Sequence, residues 1–221
     1  MRLRSLTLWD MRFQLKYGFY FLYTVLTVLY AVVLLAMPES WQEKVAPILI
    51  FSDPATMGLF FMGAIILLEK SQRVSLAFAV MPVRAMEYVA AKVLSLCVIS
   101  MAVAAVLAAA ADTGRVSVVL AGTAVSSVIF TLLGIIVSTK ISSLNQFILW
   151  IMPIELITFL PAVLHILGIT SEILQFYPAI ICMNMIDGHV PSAVEVLILA
   201  LMVGVLVCAA RSCVLKMWEN S

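Results

Sequence analysis

The sequence predicts an all-α integral membrane protein, and three observations carry that prediction. Hydrophobic residues make up 64% of the chain and charged ones only 11%, its mean hydropathy is +1.16, and its apolar runs are long enough to cross a bilayer. A soluble chain carries about 25% charged residues. The 221 residues cannot hide so much apolar surface in one water-soluble core, and two smaller domains would share the same excess. A net charge of +1 gives no sign of a nucleic-acid partner. Cys97, Cys182, Cys208 and Cys213 follow neither metal-ligand nor disulfide-scaffold spacing and read as small apolar fillers.

Crossing hydrocarbon takes about 20 residues of helix, because unpaired backbone groups are not tolerated in lipid. Five segments reach that length: 17–36, 88–111, 116–139, 144–165 and 192–213. A sixth, APILIFSDPATMGLFFMGAIILL (46–68), does so if Asp53 and Pro54 are accommodated. Pro54 suits a first helical turn with Ser52 or Asp53 as cap, which leaves a continuous helix over 54–68, extended by Glu69 and a snorkelling Lys70.

Six alternating spans put Arg2, Arg4, Arg12, Lys16, Lys70, Arg73, Arg84, Lys92, Lys140, Arg211 and Lys216 on one side and only Lys44 and Arg115 on the other. That asymmetry predicts both termini in the cytoplasm. Removing the 46–68 helix would scatter the basic residues over both faces, so the charge count favours six spans. Before the first span, Leu3, Leu6, Trp9 and Phe13 recur at three- and four-residue spacing. This is the pattern of a helix lying in the membrane interface. The run MRLRSLTLWDMRFQLK, followed by a long apolar segment, does not read as a cleavable signal.

The stretch LLEKSQRVSLAFAVMPVRAMEYVAAK (67–92) gathers six charged side chains, Glu69, Lys70, Arg73, Arg84, Glu87 and Lys92, where charge is otherwise scarce. Val74, Phe78 and Met81 form a short helical ridge ended or redirected by Pro82, and helical phase returns at Arg84 and Glu87. A helix-break-helix with an exposed apolar ridge wants a partner, which is lipid, another part of the chain or a separate cytoplasmic protein. No GxxxxGK[ST] loop, HExxH pair or nucleophile-base arrangement occurs. Ser95 and Ser100 read as hydroxyls bonded to their own backbone.

The fifth span carries Glu155 between Pro153 and Pro161. An acid there is costly in lipid and is either a pathway residue or a group supporting a kink near the interface. Asn145 offers an interhelical hydrogen bond or, with Ser142 and Ser143, a helix cap. Downstream, TSEILQFYPAIICMNMIDGHVP contains Glu172, Tyr177, Asn184, Asp187 and His189. It is too interrupted for a seventh span and suits a partly inserted outer hairpin. Asp53, Glu155, Tyr177 and Asn184 are thus the candidates for a pathway or outer gate. Gly122, Ser126, Gly134 and Ser138 permit close helix approach.

LTLWDMRFQLKYGFYF (6–21), APILIFSDPATMGLFFMGAIILLEK (46–70), MPVRAMEYVAAKVLSL (81–96) and TKISSLNQF (139–147) together resemble the permease subunit of a type-2 ABC exporter. Among such proteins the chain resembles small bacterial fluoroquinolone export permeases, over nearly its whole length, as a single transmembrane domain of residues 1–221. The resemblance implies an ATPase-coupling element built by Glu69, Lys70, Val74, Phe78, Met81 and Glu87, with Val74 to Met81 as the cytoplasmic coupling helix. Val74 and Ser75 replace the glycine and threonine usual in relatives. It further implies two cytoplasmic ABC ATPase subunits that bind ATP and Mg, a second identical or related permease, a bacterial plasma membrane location, and no cofactor or covalent catalysis on this chain. A secondary transporter, or a non-transporting assembly or regulatory subunit, would share the topology. The first needs its own ion-coupling residues, for which Glu155 alone is thin support.

Overall fold

A computed structural model describes residues 2–53, 58–74, 83–111, 113–169 and 172–219. The five long apolar runs become helices: α2 (Phe19–Ala36), α5 (Ala85–Ala110), α6 (Val116–Thr139), α7 (Leu144–Ile166) and α9 (Ala193–Glu219). Each is long and apolar enough to cross a membrane. The chain is therefore a multi-pass, α-helical membrane protein. Around these lie α1 (Arg2–Lys16), α3 (Glu39–Ser52), α4 (Leu59–Ser71), a 3₁₀ turn (Glu172–Phe176) and α8 (Pro178–Ile186).

Local chemistry places the ends. Glu87 accepts the Arg84 backbone N–H at 3.0 Å and so opens α5. Ser143 caps α7 by accepting from Gln146 N, while Asn145 is exposed, so the serine is the cap and the asparagine joins no neighbouring helix. Ser192 and Glu195 cap α9 reciprocally, and Pro178 pre-sets the first turn of α8. Gly18, at φ +79°, makes the corner between α1 and α2 that a side chain would strain.

The region expected as a helix over 54–68 is organised differently. Helix begins at Glu39, continues through Pro47 to Ser52, and resumes as α4, which runs on to Ser71; residues 54–57 lie outside the described set. α3 starts beside Arg115 and Gly188, and α4 ends beside the last turn of α6. Pro153 and Pro161 leave α7 as one helix.

α6 is the central column, packed by α4, α5, α8 and α9. Among lipid-exposed helices little hydrophobic force draws one to another, so close packing must do it. Its glycines supply the room: a Cβ on Gly122 would fall 2.7 Å from Met185 Cβ of α8, and one on Gly134 would fall 2.9 Å from the Leu59 carbonyl of α4. These small residues therefore seat this chain's own helices. α8 is a nine-residue helix, largely buried at the end of the bundle opposite α1, against α3, α6, α7 and α9.

Candidate functional site

Among the described residues the densest group of buried charge lies where α1, α4 and α5 meet. On α5, Tyr88, Lys92 and Ser95 fall at four- and three-residue spacing and share one face. On α1, Asp10 and Gln14 do the same. Glu69 comes from the last turns of α4. Lys92 Nζ donates to Asp10 Oδ1 and Glu69 Oε1. Tyr88 OH donates to Glu69 Oε2 at 2.6 Å, and Ser95 Oγ donates to Asp10 Oδ2. Gln14 Nε2 bonds Asp10 Oδ2 at 2.8 Å and Ser95 Oγ at 2.9 Å. Every charged member is about 2% exposed or less.

Two carboxylates around one ammonium leave the node with a surplus acid when all are ionised. The surrounding donors offset its desolvation, and Lys92 also sits over the Phe13 and Tyr88 rings at 5.9 and 5.4 Å. Beside the node, Lys70 Nζ donates to the carbonyls of Ser138, Thr139 and Ile141 at 2.8, 2.9 and 2.8 Å. A cation there also complements the negative end of the α6 dipole. The far end of α9 reaches the same place, where Trp218 packs edge-on against Tyr88.

Of the residues expected to contact an ATPase, Glu69 and Lys70 face the bundle through these contacts, and Glu87 caps α5. Val74 is partly buried against the core. Phe78 and Met81 lie outside the described residues. Arg73, just past the end of α4, lies in the left-handed region at φ +57°.

The four pathway candidates do not share one cavity. Asp53 is buried at the end of α3, against Ser100 of α5 and near Tyr23 of α2. Glu155 lines an outward-facing apolar groove of about 350 Å³ with Met152, Leu156, Phe159 and Leu160. Tyr177 OH donates to the Ile157 carbonyl at 3.0 Å and ties the turn before α8 to α7. Asn184 lines an open cavity of about 450 Å³ at the α8 end with His165, Asp187, His189 and Glu195. There, burial pushes the Asp187 carboxyl up and Glu43 adds to the rise, while His189, 3.4 Å away, opposes it. Among the described residues no cluster has metal-binding geometry.

Ser95 and Ser100 correct the sequence reading. Ser95 bonds across helices as well as reaching the Lys92 carbonyl at 2.9 Å, and Ser100 Oγ makes no hydrogen bond among the described residues. Asp10 and Gln14 were not anticipated as a site. The available signal was one acid on a basic helix with a polar residue four positions on.

Comparison with known proteins is specific. Residues 1–214 match the fluoroquinolones export permease protein family. The chain belongs to that family. Two of its relatives are fluoroquinolones export permease proteins of Mycobacterium tuberculosis, from strains CDC 1551 / Oshkosh and ATCC 25618 / H37Rv. Each is 38% identical over 81 residues, which cover 37% of this chain and 34% of the relative. The aligned stretch thus spans about a third of the length of those relatives. Membership in an export permease family agrees with the helices described above.

Proposed function

We propose that this chain is the membrane-spanning permease subunit of an ATP-driven, type-2 ABC exporter. It forms the path for a drug-like or other lipophilic substrate, a fluoroquinolone being the class named in its relatives. Two cytoplasmic ABC ATPase subunits bind ATP and Mg and hydrolyse the nucleotide, and a second identical or related permease completes the complex in the bacterial plasma membrane. Six traverses, made by α2, α3 with α4, α5, α6, α7 and α9, leave both termini in the cytoplasm, with α8 re-entering from outside.

The observation that carries the reading is the Glu69–Lys92–Asp10 node. Glu69 and Lys92 stand at the two feet of the connection that contains Val74, Phe78 and Met81, and both feet are tied to each other. Asp10 adds α1 to the same knot, and Lys70 adds α6. A force applied to that connection by an ATPase would reach four helices through direct hydrogen bonds and ion pairs. Closure of the ATPases would then favour one of two membrane states with different substrate affinity.

Inverted membrane vesicles carrying this chain and a candidate ABC ATPase test the reading. ATP should drive uptake of a fluorescent fluoroquinolone, and replacing the ATPase's phosphate-binding lysine should stop it. Phe78→Asp should also stop it while the permease reaches the membrane in normal amount. Uptake driven by an imposed ion gradient without nucleotide would replace this reading with a secondary carrier.

A further inference from the structure

α1 carries Asp10 as its one acid, and the fold turns that acid inward onto Lys92, with Gln14 beside it. Arg4, Arg12 and Lys16 stay exposed. Among the described residues none of the three pairs with an acid. The outer side of α1 therefore presents positive charge alone, and the exposed Leu8 and Leu15 lie among the cations.

The same helix meets an apolar groove. Arg4, Leu8, Met11 and Leu15 follow at four-, three- and four-residue spacing and share one stripe of α1. Met11 joins Tyr20 and Val28 of α2 and Val98, Val103 and Val106 of α5 in lining a groove of about 410 Å³. Between Tyr20 and Val28 it follows α2 for about 12 Å. Val28, Val98 and Val106 are each more than half exposed, so the groove opens on the outer face of the bundle. Thr24 and Thr27 on its wall donate to their own backbone at 2.9 and 2.7 Å, and the hydroxyls of Tyr20 and Tyr23 are shut off from solvent. An occupant of the groove is thus asked for no hydrogen bond.

We propose that this corner binds an anionic phospholipid, one acyl chain lying in the α2–α5 groove and the headgroup phosphate against Arg4, Arg12 and Lys16. A hydrocarbon chain suits a groove without polar demand, and cations on a helix at the membrane surface draw anionic headgroups. An arginine can also hold a phosphate through two N–H donors at once. The Gly18 corner joins α1 directly to the first turn of α2, which sets the cations at the level where a lipid's chains meet its headgroup. A second copy of this chain is a poor occupant, because Lys140, Arg211 and Lys216, exposed at the same end, would bring like charge to α1. Since Met11 follows Asp10, the lipid also braces the helix that holds Lys92. The inference stands apart from the export reading.

The test uses the purified full chain in detergent micelles, without nucleotide or ATPase, titrated with pyrene-labelled phosphatidylglycerol and phosphatidylcholine of the same chain length. Energy transfer from tryptophan reads the binding, and the two probes differ only in the headgroup. Phosphatidylglycerol should bind roughly 10-fold more tightly. That preference should shrink as salt approaches about 1 M, where the Debye length is about 3 Å. Arg4→Gln/Arg12→Gln/Lys16→Gln should bring phosphatidylglycerol to the affinity of phosphatidylcholine and leave the latter unchanged. Lys140→Gln/Arg211→Gln/Lys216→Gln removes as many exposed cations from the same end and should keep the preference. Ala102→Trp fills the groove from its exposed wall and should weaken both lipids several-fold. Equal binding of the two probes to the unaltered chain, a preference that survives the α1 variant, an equal loss in both triple variants, or unchanged binding by Ala102→Trp overturns the proposal. If the α1 variant is not monodisperse, Arg12→Gln decides in its place. The preference should then fall several-fold, and an unchanged preference overturns the proposal. Because no ATPase enters the titration, its failure leaves the export reading standing, and failure of ATP-driven uptake leaves this one standing.

Discussion

Lys70 Nζ lies 2.8 Å from the carbonyl oxygen of Ser138, and its other two donors reach the carbonyls of Thr139 and Ile141. One side chain at the end of α4 thereby closes the end of α6. Lys70→Met should cost about 2 kcal/mol, since it strips a charged donor from three carbonyls at and just beyond the end of α6. Thermal unfolding of the purified chain should shift down by roughly 4–8 °C. Lys70→Arg should recover part of the loss, and an unchanged midpoint for Lys70→Met would remove the cap from the account of stability.

Gly63 and Phe147 make a second dependence between helices. A Cβ on Gly63 would fall 1.6 Å from the Phe147 ring, which is fully buried. Gly63→Ala should therefore destabilise α4 against α7 by about 1–3 kcal/mol through overpacking. Adding Phe147→Leu should return part of that loss, whereas Phe147→Leu alone should be destabilising. Additive losses in the double variant would mean that the two positions are not coupled.

Asp187 gives a pH dependence at the α8 end. Burial raises its carboxyl from the ordinary value of 3.8, with Glu43 contributing and His189 opposing. The folded chain then holds a proton that the unfolded chain has released, so this contribution to stability falls as pH rises from about 3.8 through the folded value. Asp187 is exposed, and solvent screening holds the effect to less than about 1 kcal/mol. Melting curves across the acidic range should show a smaller decline with pH for Asp187→Asn than for the unaltered chain.

Sequence and structure agree where a local signal was strong. The run at 116–139 became Val116–Thr139 because it is uniformly apolar and bounded by Arg115 and Lys140, and Ser143 announced the start of α7. α1 was legible as a helix but not in its docking face. Of its apolar stripe Leu3 and Trp9 are exposed and Phe13 is buried, and the buried face also carries Asp10 and Gln14, which the stripe did not mark. Asp10 meets Lys92 across 82 positions, and no periodicity within either helix encodes that pairing. The same limit hid Asp53, Ser100 and Tyr23 as neighbours, since each comes from a different helix. Glu155 was singled out as a lone acid, and it faces an outer groove because α7 presents that side away from α6.

The imbalance of the node leads to an unequal set of outcomes for its members. Lys92→Met leaves Asp10 and Glu69 buried without their ammonium and should cost about 3–5 kcal/mol, enough to deplete the folded protein. Asp10→Asn instead leaves one acid facing one base. Its amide oxygen can still accept from Ser95 or Gln14, so yield and melting temperature should stay near those of the unaltered chain. The triple variant Asp10→Asn/Glu69→Gln/Lys92→Met removes every charge at once and should regain most of the folded yield lost by Lys92→Met alone, as measured by size-exclusion chromatography. Recovery would identify uncompensated charge as the cause of the single variant's failure. If instead the triple variant is as depleted as Lys92→Met, shape and hydrogen bonding set the stability of the node. Once folded, the triple variant also asks what the node is for. A node that relays force should leave it in the membrane with ATP-driven uptake lost, whereas a node that only holds the helices together should leave uptake intact in proportion to the folded protein.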